Sequence, residues 1–172
     1  MAFLEAVGLA ECVHGVPATQ AGFLGWLEAS GLGECVRSST PGYPSMIALH
    51  AIGMAVMVGL SLVIDLRVLG FFSGIPLAAL KRFFGIAWIG FGINFLSGSA
   101  LFSAQAISYM VDWVFLTKMG LVLLGAVTAG ILQPAVANAG TGPLPGSTKA
   151  IAGAAIVIWI VAIIMGRLTA YL

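Results

Sequence analysis

The stretch Ser45-Met-Ile-Ala-Leu-His-Ala-Ile-Gly-Met-Ala-Val-Met-Val-Gly-Leu-Ser-Leu-Val-Ile64 holds twenty residues with one ionisable side chain, His50. A helix rises about 1.5 Å per residue, so such a run crosses a hydrocarbon core about 30 Å thick while pairing its backbone amides within itself. Pro41-Gly-Tyr-Pro44 precedes it as a helix-start signal, and Asp65-Leu-Arg67 follows as the expected stop. Three more runs reach the same length: Phe83 to Gln105, Trp113 to Gln133 with Pro134 as the expected breaker, and Ala150 to Tyr171. The pattern predicts an all-α integral membrane protein, a four-transmembrane-helix bundle. Composition agrees, because 60% of the 172 residues are hydrophobic and 8% are charged, against about 25% charged in soluble domains. Seven basic and six acidic residues leave no electrostatic footprint for nucleic acid.

Arg67, Lys81 and Arg82 fall between spans one and two, and Lys149 closes the connection between spans three and four. Positive charge collects on the cytoplasmic side, so these connections are expected there and both termini outside, the topology of a multi-pass bacterial inner-membrane protein with periplasmic termini. Trp26, Tyr43, Tyr109, Trp113 and Tyr171 lie in the outer arm or near outer span ends, where amphipathic rings prefer to sit. The connection from Gly140 to Gly146, rich in Gly and Pro, is expected to be a mobile loop.

The chain divides by this reading into an arm, residues 1–40, and a transmembrane domain, residues 41–172. The arm lacks a cationic n-region, and Glu5 and Glu11 interrupt its apolar run, so it does not read as a secretory signal peptide. It contains a duplication. Phe3-Leu-Glu-Ala-Val-Gly-Leu-Ala-Glu-Cys-Val13 returns as Trp26-Leu-Glu-Ala-Ser-Gly-Leu-Gly-Glu-Cys-Val36, with eight of eleven positions identical. In each copy the glutamates fall away from the apolar side, as in a short amphipathic helix lying in the membrane interface or against a neighbouring subunit. Cys12 and Cys35 occupy equivalent positions, and an oxidising outer compartment permits a disulfide between them. The competing reading is two small buried thiols.

Ionisable groups in hydrocarbon need a partner or an escape to water. His50 in span one and Lys118 in span three enter from the same side to similar depth, joined by Arg167 near the outer end of span four and by Ser99, Ser103 and Gln105 in span two. A neutral imidazole suits haem iron and interfacial cations suit haem propionates, so His50, Lys118 and Arg167, with Ser103 as a further polar group, form a candidate b-type haem site. The alternative is that His50 bonds a serine or water while the two cations snorkel to headgroups. Met46, His50, Met54 and Met57 recur along one face of span one, and thioethers beside an imidazole suit Cu(I); the same stripe also reads as plain packing. Asn94 in mid-span two is expected to make an interhelical hydrogen bond, and the glycines of spans two and three, Gly98 and Gly125 among them, to permit close helix contact. There is no Walker loop, nucleophile elbow, His-Glu-x-x-His or Cys-x-x-Cys pattern, which removes support for hydrolytic and nucleotide chemistry. Asp65 and Asp112 are both expected at span ends, which leaves ion transport with little to work through.

From Trp26 onward the chain resembles a group of uncharacterised bacterial four-helix membrane proteins, loosely similar to copper-resistance proteins of the CopD type and to HemJ-type haem-binding protoporphyrinogen oxidases. The matching residues are Trp26-Leu-Glu28, Tyr43-Pro44 followed by His50, Asp65-Leu-Arg-Val-Leu-Gly70, Ser97-Gly-Ser-Ala-Leu-Phe-Ser103, Lys118 and Gly166-Arg167. The resemblance implies a four-helix bundle whose first-span histidine and third-span lysine belong to a redox or metal site. Two positions depart from that pattern, Ile47 where a Glu is common and Gln133 where a His is common. The expectation is a small membrane redox protein or subunit that binds haem b and passes electrons to a quinone or a partner subunit, an electron-transfer or accessory chain rather than a stand-alone enzyme. The competing expectation is a noncatalytic accessory subunit of a larger membrane complex, or a homo-oligomer, docked through the duplicated arm; a copper-binding protein is the third.

Overall fold

A computed structural model describes residues 22–139, 144–169 and 171. The described chain is all-α, with helices α1 (Phe23–Glu28), α2 (Gly31–Ser38), α3 (Gly42–Leu69), α4 (Lys81–Ala104), α5 (Ala106–Val111), α6 (Trp113–Ala137) and α7 (Gly146–Leu168). A 3-10 turn, Leu77–Leu80, leads into α4. Four segments are long and apolar enough to cross a membrane: α3, the 3-10 turn continued by α4, α6 and α7. Only a minor part of each span's apolar stretch is buried inside the protein. The remaining surface is also apolar, with Ile89, Leu96, Leu123 and Val157 all exposed, and such a surface belongs in lipid. This is a multi-pass membrane fold, as the four runs predict.

The helix ends differ from expectation in instructive ways. Asp65-Leu-Arg67 does not stop the first span. The helix continues to Leu69 and closes on Gly70, whose φ of 111° only glycine adopts readily. Gly70 N donates to Arg67 O and Phe71 N to Leu66 O, the paired bonds of a Schellman cap. Arg67 then holds the exit loop, donating from Nε to Ile75 O at 2.6 Å. Pro134 likewise does not break the third span, which runs on to Ala137. Proline lacks the amide hydrogen that would pair with the carbonyl one turn back, but its own carbonyl still accepts, here from Asn138 N at 3.0 Å, so the helix closes a further turn beyond it. The fourth span starts earlier than expected, at Gly146 with Pro145 as its cap, and residues 140–143 of the expected loop lie outside the described residues.

Two compact units organise the described chain, residues 22–54 with 91–112, and residues 55–90 with 113–171. In the first, Cys35 and Val36 of α2 pack with Met46, Ala100 and Ala104. Its arm segment is not one helix. Ser30 ends α1 and starts α2: its Oγ donates to Leu27 O at 2.6 Å and accepts from Gly33 N at 3.1 Å. Gly33 is required here because a Cβ would meet Ser103 O at 2.6 Å. The connection around Asp112 contains helix α5, and Glu28 Oε1 accepts from Ile107 N at 2.8 Å, supplying an acceptor to the otherwise unpaired first turn. The first repeat copy, and with it Cys12 and the Cys12–Cys35 pairing, lies outside the described residues. The second unit is centred on Ile64, Val68, Leu80, Phe84, Leu132, Val136 and Ala152.

Candidate functional site

The first unit places His50 of α3 against α4. An ideal Cβ on Gly98 would lie 3.0 Å from His50 Cε1, so the glycine makes room for the imidazole. His50 Nδ1 is 3.0 Å from the Asn94 carbonyl oxygen. A carbonyl only accepts, so Nδ1 carries the hydrogen in this bond and the lone pair resides on Nε2. Asn94, 8% exposed, returns the contact by donating from Nδ2 to the His50 carbonyl oxygen at 2.9 Å. This is the interhelical hydrogen bond expected of Asn94, and it joins the same two residues in both directions. Ser97 Oγ is 3.3 Å from Nδ1 and also donates to Ile93 O at 2.7 Å, which turns it largely toward its own helix.

The other candidates of this unit have different surroundings. Met46 is 2% exposed and packed among Cys35, Val36, Ala100 and Ala104. Met54 is half-buried on the same helix. Ser103, 2% exposed, donates from Oγ to Ala100 O at 2.7 Å. Its hydroxyl is thereby committed within α4, and its carbonyl edge is where α2 approaches. Among the described residues no three His, Cys, Asp or Glu side chains form a group able to hold a metal ion. In α5 of the same unit, Tyr109 has its phenol pushed above the usual 10.0 by burial first, then by Tyr43 and Asp112.

In the second unit Lys118 of α6 lies along α7. The half-buried side chain runs over Gly166, with Cε 3.3 Å and Nζ 3.7 Å from the position a Cβ would take there. A larger residue at 166 would push the ammonium stem aside. Arg167, the next residue, is exposed and donates from Nη2 to Tyr171 OH at 2.8 Å while stacking over that ring. Lys118 is thus brought beside the Gly166-Arg167 segment. Gln133, where the resemblance leads one to expect a His, accepts from Trp88 Nε1 at 3.2 Å.

One polar residue of the second unit escapes the sequence reading. Asp65, expected at a span end, is 2% exposed inside α3. It lines a cavity of about 10 Å³ with Ser61, Thr128 and Trp159. The signal that marks it is spacing: Ser61 and Asp65 stand four residues apart and share one helix face, as do Thr128 with Leu132 and Ala155 with Trp159. No family model, curated protein or solved structure matches the chain.

Proposed function

We propose that this chain is a small integral membrane redox protein or subunit that binds a b-type haem near the outer leaflet through His50 and passes electrons to a quinone or a partner subunit. The observation that carries the reading is the bond from His50 Nδ1 to the Asn94 carbonyl. Metal-ligating histidines characteristically donate the second ring N–H to a carbonyl or carboxylate, which sets the tautomer and makes the ligating nitrogen more basic. His50 would hold the haem iron in this proposal, with Asn94 orienting its ring and Gly98 giving it space. By charge alone, Lys118 and Arg167 are the chain's candidate cations for propionate carboxylates. Haem, when bound, supplies the one-electron chemistry. Copper held by Met46, His50 and Met54 ranks below it, because Met46 is enclosed by apolar neighbours at 2% exposure. The setting proposed is a bacterial inner membrane with both termini periplasmic, since Arg67, Lys81, Arg82 and Lys149 then face the cytoplasm.

The test is a dithionite-reduced minus oxidised spectrum of the protein purified gently from its native membrane, repeated for His50→Ala. The expected result is a b-type band that stays with the chain and disappears in the variant, with the helical circular dichroism unchanged. A featureless spectrum from the folded wild type, or haem content unaltered by His50→Ala, overturns the assignment.

A second reading has its own observation. Phe23 and Trp26 of α1 are 70% and 52% exposed and stack with ring centroids 5.9 Å apart, an apolar pair suited to docking an accessory subunit on a larger membrane complex or on a second copy. Retention of the native assembly after deletion of residues 1–24 counts against it; so does retention in a Phe23→Ser, Trp26→Ser double variant.

A further inference from the structure

Two buried polar atoms among the described residues have no hydrogen-bond partner in the protein, Asp65 Oδ2 and Trp159 Nε1. Both residues are 2% exposed, and both line the same cavity among α3, α4, α6 and α7, together with Ser61, Thr128, Phe84 and Leu132. Two orphans around one space are unlike the usual satisfied interior. One is an acceptor and the other a donor, and the cavity volume of about 10 Å³ is near the smallest that admits a water.

We propose that this cavity is a built site for a single water molecule, which donates to Asp65 Oδ2 and accepts from Trp159 Nε1–H. A water is the small ligand that satisfies both atoms at once. The indole N–H points positive hydrogen toward its partner, which opposes a bound cation, while the carboxyl oxygen opposes an anion. The Thr128 hydroxyl donates within its own helix, to Gly125 O at 2.7 Å, leaving its oxygen lone pairs for a further contact with the guest. The surrounding Phe84 and Leu132 exclude larger polar guests. The site is independent of the haem reading: it uses none of His50, Lys118 or Arg167.

The experiment is nuclear magnetic resonance of the full ¹⁵N-labelled chain in lipid nanodiscs, reading water cross-relaxation at the Trp159 indole N–H, assigned by its loss in Trp159→Phe. The sign of the rotating-frame effect separates a bound water from simple proton exchange. The expected result is a bound-water cross-peak at Trp159 in the wild type, kept in Asp65→Asn and lost in Asp65→Leu. The wild-type spectrum decides the matter even if Asp65→Leu does not fold. No cross-peak in the folded wild type overturns the proposal. A Trp159 indole shift on replacing sodium by N-methylglucamine also overturns it, in favour of a cation.

Discussion

Substituting Gly125 by alanine adds one methyl group at the most constrained point of the α6–α7 contact. The new Cβ would lie 2.6 Å from Cζ2 of Trp159 and 2.8 Å from Cε2 and Cη2. Carbon atoms pack best at about 3.5–4.0 Å, so the indole or the helix must give way by roughly 1 Å. Trp159 is 2% exposed, which leaves the rigid ring little freedom to do so. Overpacking of this kind costs about 1–3 kcal/mol. Alanine also favours helix over glycine by about 1 kcal/mol, which acts in the opposite direction. The two effects separate in a matched comparison with Gly130→Ala on the same helix, where a Cβ meets nothing within 4 Å. Both variants receive the propensity gain, and only one receives the clash. Gly125→Ala is therefore expected to be about 1–3 kcal/mol less stable than Gly130→Ala. The assay is equilibrium unfolding in mixed micelles by titration with a denaturing detergent, followed by far-ultraviolet circular dichroism and tryptophan fluorescence. Equal unfolding midpoints for the two variants would refute the packing argument.

Two further predictions concern the first unit. Ser30→Ala removes the Oγ that accepts from Gly33 N and is expected to cost about 1 kcal/mol; amide exchange across α2 should quicken while the span amides stay protected, and unchanged exchange at Gly33 would argue against the cap. Tyr109, whose phenol is pushed above 10.0 chiefly by burial and then by Tyr43 and Asp112, should ionise later than free tyrosine in a pH-dependent absorbance difference between wild type and Tyr109→Phe. The folded chain keeps this proton after the unfolded chain has lost its own, so the stability contribution is present below about pH 10 and falls away as pH rises through the folded value. A Tyr109 titration at or below the free value would contradict the burial assigned to it.

Of the candidate site, residue types were legible and their partners only partly so. Asn94 announces an interhelical bond because an amide in hydrocarbon must find a partner, and it finds His50. That Gly98 clears the space for that imidazole, while Gly125 accommodates an indole and Gly166 a lysine stem, depends on which helix faces lie together. Glycine spacing alone permits close approach without naming the neighbour. Ser103 shows the converse, since a hydroxyl at the right depth is spent on its own helix.

The sequence by itself determined the membrane class and the four spans. Hydrocarbon leaves a backbone no partner but itself, and a run such as Ser45 to Ile64 can satisfy that demand only as a helix. Tertiary structure decided where the helices end and what became of the charges near those ends. Asp65-Leu-Arg67 reads as a stop because charge avoids lipid, yet Arg67 reaches out to the Ile75 carbonyl while Asp65 turns inward beside Trp159. Pro134 reads as a breaker because it lacks an amide hydrogen, yet α6 runs on to Ala137, with the proline's own carbonyl accepting from Asn138 N. The inward turn of Asp65 depends on neighbours supplied by α6 and α7, far along the chain, which local composition does not name.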